Sequence, residues 1–185
     1  MVTVMAVTKQ KKWTYEEYYR LDDEKRYEVI EGELIEMSSP SSEHQIITGN
    51  LSSMIWVFLK ENNLGQVIPS PIDVIFDEQN TFQPDIVFIS SKNKQIIQER
   101  GVFGPPDLVV EVLSKSTEKK DRGIKFKAYE KFGVKEYWLV DPRKRSMEVF
   151  VLEKSTFISY NFVKNADPLK SRVFPDFSVR FSELS

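Results

Sequence analysis

Gln83-Pro84-Asp85-Ile86-Val87-Phe88-Ile89, followed after a polar interval by Pro106-Asp107-Leu108-Val109-Val110-Glu111-Val112-Leu113, is the stretch that decides the fold. Both segments read as strands, because each is a short apolar run rich in β-branched residues and opened by proline. The second shows no apolar-polar alternation, so it belongs in a sheet covered on both faces. Yet Glu111 sits in its middle, and Asp85 opens the first. A third segment, Asp121 to Phe132, reads as a helix. Its face carries Ile124, Ala128 and Phe132, with Tyr129 just beyond, while Lys120, Lys127, Glu130 and Lys131 gather opposite. Lys125 and Asp121 fall within or beside the apolar arc.

A buried carboxylate or ammonium is costly unless it is paired or binds a metal. Two acids and a lysine converging on one spot meet that condition in a recognisable way. The carboxylates could hold a divalent metal while the ammonium stabilises developing negative charge, as hydrolysis of a phosphodiester requires. The competing reading of Lys125 is an i,i+4 pair with Asp121, worth about 0.2–0.5 kcal/mol.

Composition narrows the chemistry. The 185 residues are 41% apolar and 29% charged, the balance of an ordinary soluble globular chain. That length fits one domain, expected over residues 13–185, behind a flexible tail at 1–12. Val2 to Val7 is too short for a signal-peptide core and no apolar run approaches bilayer length, so a cytoplasmic protein without a membrane partner is expected. The absence of cysteine excludes a disulfide framework, a thiolate metal site and a cysteine nucleophile. With His44 the single histidine, a metal would be held mainly by oxygen, which suits magnesium, manganese or calcium. A net charge of -2 does not announce a nucleic-acid binder, and the lysine-rich run Lys115 to Lys131 reads as a solvated helix face.

Along the chain, Thr14 to Glu17 predicts a capping box and a short helix to about Leu21. Arg26 to Met37 predicts a hairpin turning at Glu31-Gly32, in which Glu28 either faces water or lines a site. Ser42 to Gln45 predicts a second capping box and a helix to Asn62, with Ile47, Leu51, Met54, Ile55 and Phe58 on one stripe. His44 lies on that stripe, either packed structurally or contacting a phosphate at the helix start. Leu64-Gly65 should end the helix, and Gln66 to Phe76 should be a strand broken at Pro69-Ser70-Pro71. Ser90 to Gly104 reads as a loop with one helical turn near Gln95 to Arg100, either a lid beside the site or filler. Three more strands are expected over Glu136 to Val140, Met147 to Glu153 and Thr156 to Val163, and the apolar stretch Val173 to Val179 should pack on the body.

The order and spacing of these pieces resemble the Uma-type restriction endonuclease family, a former domain of unknown function abundant in cyanobacteria, within the PD-(D/E)xK nuclease superfamily. The motifs that carry the resemblance span nearly the whole chain: Arg26-Tyr27-Glu28 to Gly32-Glu33, Ser41 to His44, Gln83-Pro84-Asp85, Pro106 to Ser114, Asp121 with Lys125 and Tyr129, and Gly133-Val134 to Pro142. The resemblance implies a mixed α/β (α+β) fold, restriction-endonuclease-like, with a central mixed sheet flanked by helices. It implies Asp85 and Glu111 as metal ligands on neighbouring strands. In the superfamily's usual pattern a lysine follows the acid by two residues, a place held here by Leu113; Lys125 matches the lysine this family uses instead.

On that basis the expected function is a metal-dependent endonuclease hydrolysing DNA. Asp85 and Glu111 would hold Mg2+, with Mn2+ able to substitute; Lys125 would position water or neutralise the phosphate; Glu28 would be an auxiliary acid. His44 and Tyr129 would contact substrate, and a homodimer is a further implication of the resemblance. The alternative is a catalytically inactive nuclease-fold protein acting as a nucleic-acid or protein binding module. A small-molecule phosphohydrolase has no glycine-rich phosphate loop in its favour.

Overall fold

The two apolar runs lie side by side in the middle of a six-stranded sheet. In the computed structural model, which describes residues 11–185, β6 (Ile86–Ser90) and β9 (Leu108–Val112) pair antiparallel, with Ile86 opposite Val110. Parallel to β9 runs β10 (Glu136–Asp141), followed outward by β11 (Ser146–Glu153) and β12 (Thr156–Lys164); β3 (Gly65–Pro69) closes the other edge beside β6. This is the central mixed sheet. A second six-stranded sheet, in the order β2-β1-β5-β4-β8-β7, is built from β1 (Tyr27–Ile30), β2 (Glu33–Glu36), β4 (Val74–Asp77), β5 (Asn80–Phe82), β7 (Ile97–Gln98) and β8 (Gly101–Phe103).

Period-two alternation distributes β9 between two cores. Leu108, Val110 and Val112 face α2 (Ser42–Asn62), whose Ile47, Leu51, Ile55 and Leu59 cover them. Val109 and Leu113 face the opposite layer, with Val74, Phe82 and Tyr129. Glu111 shares their parity, so its carboxyl is delivered into that second layer. Burying each such large apolar side chain stabilises the fold by about 1.5–3 kcal/mol.

The expected elements are recovered with five corrections. Ser41 rather than Ser42 caps α2, its Oγ accepting the His44 N–H at 3.2 Å, and the helix ends on Asn63 in the left-handed conformation. Gly65 instead opens β3, where a Cβ would come within 2.2 Å of the Ile89 carbonyl; strand pairing there tolerates only glycine. The expected broken strand is two strands in different sheets, since β3 pairs with β6 and β4 with β5. Ser90 to Gly104 has the expected single helical turn, shifted to Lys94–Ile96, but then forms a β7-β8 hairpin that packs beside α1 (Tyr15–Tyr19), with Arg100 on Glu16 at 2.6 Å. It lines no part of the cleft described below.

The third segment departs most. It is α3 (Glu118–Lys120), a π-helical turn over Asp121–Lys125, and α4 (Phe126–Phe132). Ile124, expected on the core face, is 37% exposed, whereas Asp121, Lys125 and Tyr129 are buried. A π turn holds more than the 3.6 residues of an α turn, so residues four apart line up, and the stripe that faces inward is the polar one. Of the expected tail, residues 1–10 lie outside the described residues; Lys12 donates to the Glu31 carbonyl at 2.9 Å. The expected hairpin turn is present, with positive φ at Glu31 and Gly32. Phe174, Phe177 and Val179 are buried against α2 as anticipated. No described helix is long and apolar enough to cross a membrane.

Asp107, at the head of β9, shows how the far end of this sheet is held. Its carboxylate accepts the Ser90 N–H at 2.7 Å and pairs with Lys135. Burial alone would raise the carboxyl's pKa, but Lys135 and the Ser90 N–H outweigh it and hold it below the usual value. A depressed folded pKa stabilises above the unfolded value of about 3.9 and is lost as pH falls through the folded value. Asp107→Asn is therefore expected to cost about 1 kcal/mol at pH 7. Urea unfolding at pH 7 and at pH 3 checks this, with the gap to the parent shrinking in acid.

Candidate active site

A cleft of about 490 Å³ opens where the end of β9 meets the start of β6, beneath the N-terminus of α2. Asp85, Glu111, Lys125 and His44 all line it. Strand pairing brings Asp85 beside β9: its Oδ2 accepts the Val112 N–H at 2.7 Å and lies 3.2 Å from His44 Nε2. Burial opposes charge on His44, but the contact with Asp85 prevails and raises the imidazole's pKa. His44 Nδ1 is enclosed without a partner among the described residues.

Behind the cleft wall Lys125 is the hub. Its ammonium lies 2.8 Å from Glu28 Oε1, 3.0 Å from Glu111 Oε1 and 3.6 Å from Asp121 Oδ1. Glu28 thus faces the interior, not water; it comes from β1 in the other sheet and also accepts the Gln83 N–H at 3.0 Å. Tyr129, expected to contact substrate, does not reach the cleft. It is fully buried and donates to Glu111 Oε1 at 2.8 Å, while Tyr137 donates to the Asp121 carbonyl at 3.1 Å. Leu113, in the place where the superfamily pattern has lysine, is buried in the apolar layer.

The electrostatics follow from the census among the described residues: three carboxylates, Glu28, Glu111 and Asp121, surround one ammonium, and a fourth, Asp85, acts on Glu111 and Asp121. Desolvation pushes the Glu111 carboxyl well above its usual range; Lys125 pulls it down, and Asp121, Asp85 and Glu28 push it up again. Asp121 is raised for the same first reason. Burial alone would strip the Lys125 proton, but Glu111, Glu28 and Asp121 together hold its pKa well above normal. A cluster with three more acids than ammonium groups suits a divalent cation. Among the described residues no three acidic or imidazole groups form a ready-made cage. The donor set matches a cation that takes one or two carboxylates and keeps its waters, as magnesium does.

Among the cleft residues not singled out as site residues from the sequence are Arg26 and Gln83, although both stand in the motifs that carry the resemblance. Arg26 Nε donates to Gln83 Oε1 at 2.9 Å. The signal available was spacing, since Arg26 is two residues before Glu28 and Gln83 two before Asp85.

The comparisons with known proteins agree with this architecture. An uncharacterised protein of Synechocystis sp., sll1609, is 27% identical over 141 residues, covering 75% of this chain and 80% of its own. A second from the same organism, slr1290, is 32% identical over 118 residues, covering 62% of this chain and 60% of its own length. The crystal structure of a "putative nuclease belonging to DUF820" from Anabaena variabilis superposes with a TM-score of 0.75 at 19% identity, over 92% of this chain and 96% of the other. It has the same fold. The model of the Uma2 family, described as "Putative restriction endonuclease", matches residues 15–182. With nearly all of its described length inside that match, the chain belongs to the Uma2 family.

Proposed function

We propose that the chain is a metal-dependent nuclease that hydrolyses phosphodiester bonds of DNA. The observation that carries this is the placement of a buried ammonium 3.0 Å from Glu111, on the wall of a cleft that Asp85 shares. Asp85 and Glu111 would hold magnesium, with manganese able to substitute. When bound, such a cation supplies an activated water and neutralises charge at the phosphate.

The protein's own groups do the rest. Lys125 has three N–H donors, of which Glu28 and Glu111 take two; Asp121, at 3.6 Å, lies beyond hydrogen-bond reach. The third proton is therefore available to a water or a phosphate oxygen. Glu28 holds the ammonium on line, Tyr129 fixes Glu111, and His44 orients Asp85 through its Oδ2.

The test is nicking of supercoiled plasmid with magnesium or manganese and with EDTA. Cleavage should require the metal and be lost in Asp85→Asn, a variant that still offers an oxygen to the Val112 N–H and so stays folded. Absence of cleavage by folded protein with either metal would sink the proposal. One observation favours a second reading, a non-catalytic binding module: Glu28, Glu111 and Asp121 also close around Lys125 as a self-contained buried network. That reading expects Glu111→Ala to lose stability without losing any metal affinity.

A further inference from the structure

Among the described residues four lysine and arginine side chains line the cleft. Lys125 gives two of its protons to Glu28 and Glu111, Arg143 pairs with Glu118, and Lys115 is unpaired but stands exposed on the loop after β9. Arg26 differs from all three in being both half-buried and without a carboxylate partner. It is half-buried at the entry to β1, held by a hydrogen bond from Nε to Gln83 Oε1 at 2.9 Å, and pairs with no carboxylate among the described residues.

Gln83 is itself fixed in orientation. Its Nε2 donates to Asp73 Oδ1 at 2.9 Å and to the Tyr18 hydroxyl at 3.0 Å, and that hydroxyl donates to Asp73 Oδ1 at 3.2 Å. Turning the amide over would set its oxygen against the Asp73 carboxylate and its NH2 against the Arg26 N–H. The consequence is electrostatic. An arginine bonded to a carboxylate meets a ligand already neutralised, whereas Arg26 bonds to an amide oxygen and feels the Asp73 carboxylate only from behind Gln83. Of the five guanidinium N–H groups, Nε uses one, and the four on the terminal nitrogens form the fork that matches two phosphate oxygens. A polyanion approaching this cleft also meets the carboxylates of Asp85, Glu111 and Glu43 on its wall, in a chain of net charge -2. It needs an uncommitted cation at the wall.

We infer that Arg26 is the phosphate clamp of the cleft, gripping the nucleic-acid backbone through its terminal nitrogens, with Gln83 as its positioning residue and Asp73 and Tyr18 fixing Gln83. This rests on the nuclease reading of the same cleft. It adds the residue that seats the strand before any bond is broken.

The test is fluorescence anisotropy of the full chain with a short fluorescein-labelled DNA duplex, and with its single strand, in EDTA so that no cleavage intrudes. Arg26→Gln should weaken binding about tenfold and lower the slope of log affinity against log salt by about one, at unchanged melting temperature. Arg26→Lys should restore the slope but only part of the affinity, because a point charge cannot fork. Gln83→Met should weaken binding while Arg26 is present and add nothing on top of Arg26→Gln, a coupling that a merely structural glutamine would not produce. Wild-type affinity and slope in Arg26→Gln overturn the clamp, as does failure of the wild type to bind either probe. Fully additive losses overturn the role of Gln83. Plasmid nicking on the same preparations separates the two readings. Arg26-dependent binding without metal-dependent cleavage sinks the nuclease and leaves the clamp, whereas cleavage by Arg26→Gln at the parent's KM sinks the clamp and leaves the nuclease.

Discussion

Lys125→Met is expected to lower stability by about 3–5 kcal/mol and to abolish cleavage. The variant removes the one cation from among Glu28, Glu111 and Asp121, all of them buried. Methionine nearly matches the volume of the lysine stem, so the loss reports uncompensated charge rather than a cavity. For a chain of this size the melting temperature should fall by about 2–4 °C per kcal/mol. The pH dependence has a definite sign. The Lys125 pKa is raised in the fold, so its contribution is complete below the unfolded value of about 10.4 and is lost only as pH rises through the folded one. Between pH 7 and 9 its contribution should thus be flat. In acid the gap to the parent should narrow, because Glu111 and Asp121, whose pKa values are raised, protonate and need no partner. Urea unfolding across that range checks the argument, and a variant within 0.5 kcal/mol of the parent at pH 7, about the scatter of a neutral surface change, would refute it.

Glu136→Ala is expected to cost about as much, about 3–5 kcal/mol, with no charge partner involved. Glu136 is 0% exposed and accepts four hydrogen bonds: from Trp138 Nε1 at 2.6 Å, Ser171 Oγ at 2.6 Å, and the N–H groups of Arg172 at 2.8 Å and Val173 at 3.0 Å. Deleting it strands the buried Trp138 and Ser171 donors and releases the part-buried N–H groups of Arg172 and Val173. It also unpins the segment that carries Phe174 and Phe177 onto Phe58 of α2. Glu136→Gln, which keeps one acceptor oxygen, should lose less. Amide exchange at Arg172 and Val173 gives the local readout: both should exchange faster in Glu136→Ala, while β6 and β9 keep their protection under conditions where the fold persists. Unchanged exchange at those two amides would show that the pin is dispensable.

Both residues illustrate where the sequence stops. Glu136 sits in a run read only as a strand, and nothing local says that its four donors arrive from residues 138 and 171–173. Lys125 was legible as misplaced, because the solvated face of its segment was already supplied with charges. Its partners were only partly legible. Asp121 follows from i,i+4 spacing and Glu111 from the resemblance, but Glu28 comes from a strand of the other sheet.

What the sequence by itself determined are the things that depend on a few neighbouring residues. Proline, glycine and apolar runs placed β6, β9 and the hairpin turn at Glu31-Gly32, and two-residue alternation put Glu111 on the side of Val109 and Leu113. The tertiary structure alone decided the rest. It turned Ile124 outward at the π-helical turn, drew Tyr129 in behind Asp121 and Lys125 and away from the cleft, and brought Arg26 and Gln83 to its wall. The reason is physical: periodicity along one element specifies which side chains share a face, whereas the partner across that face is chosen by packing between segments far apart in the chain.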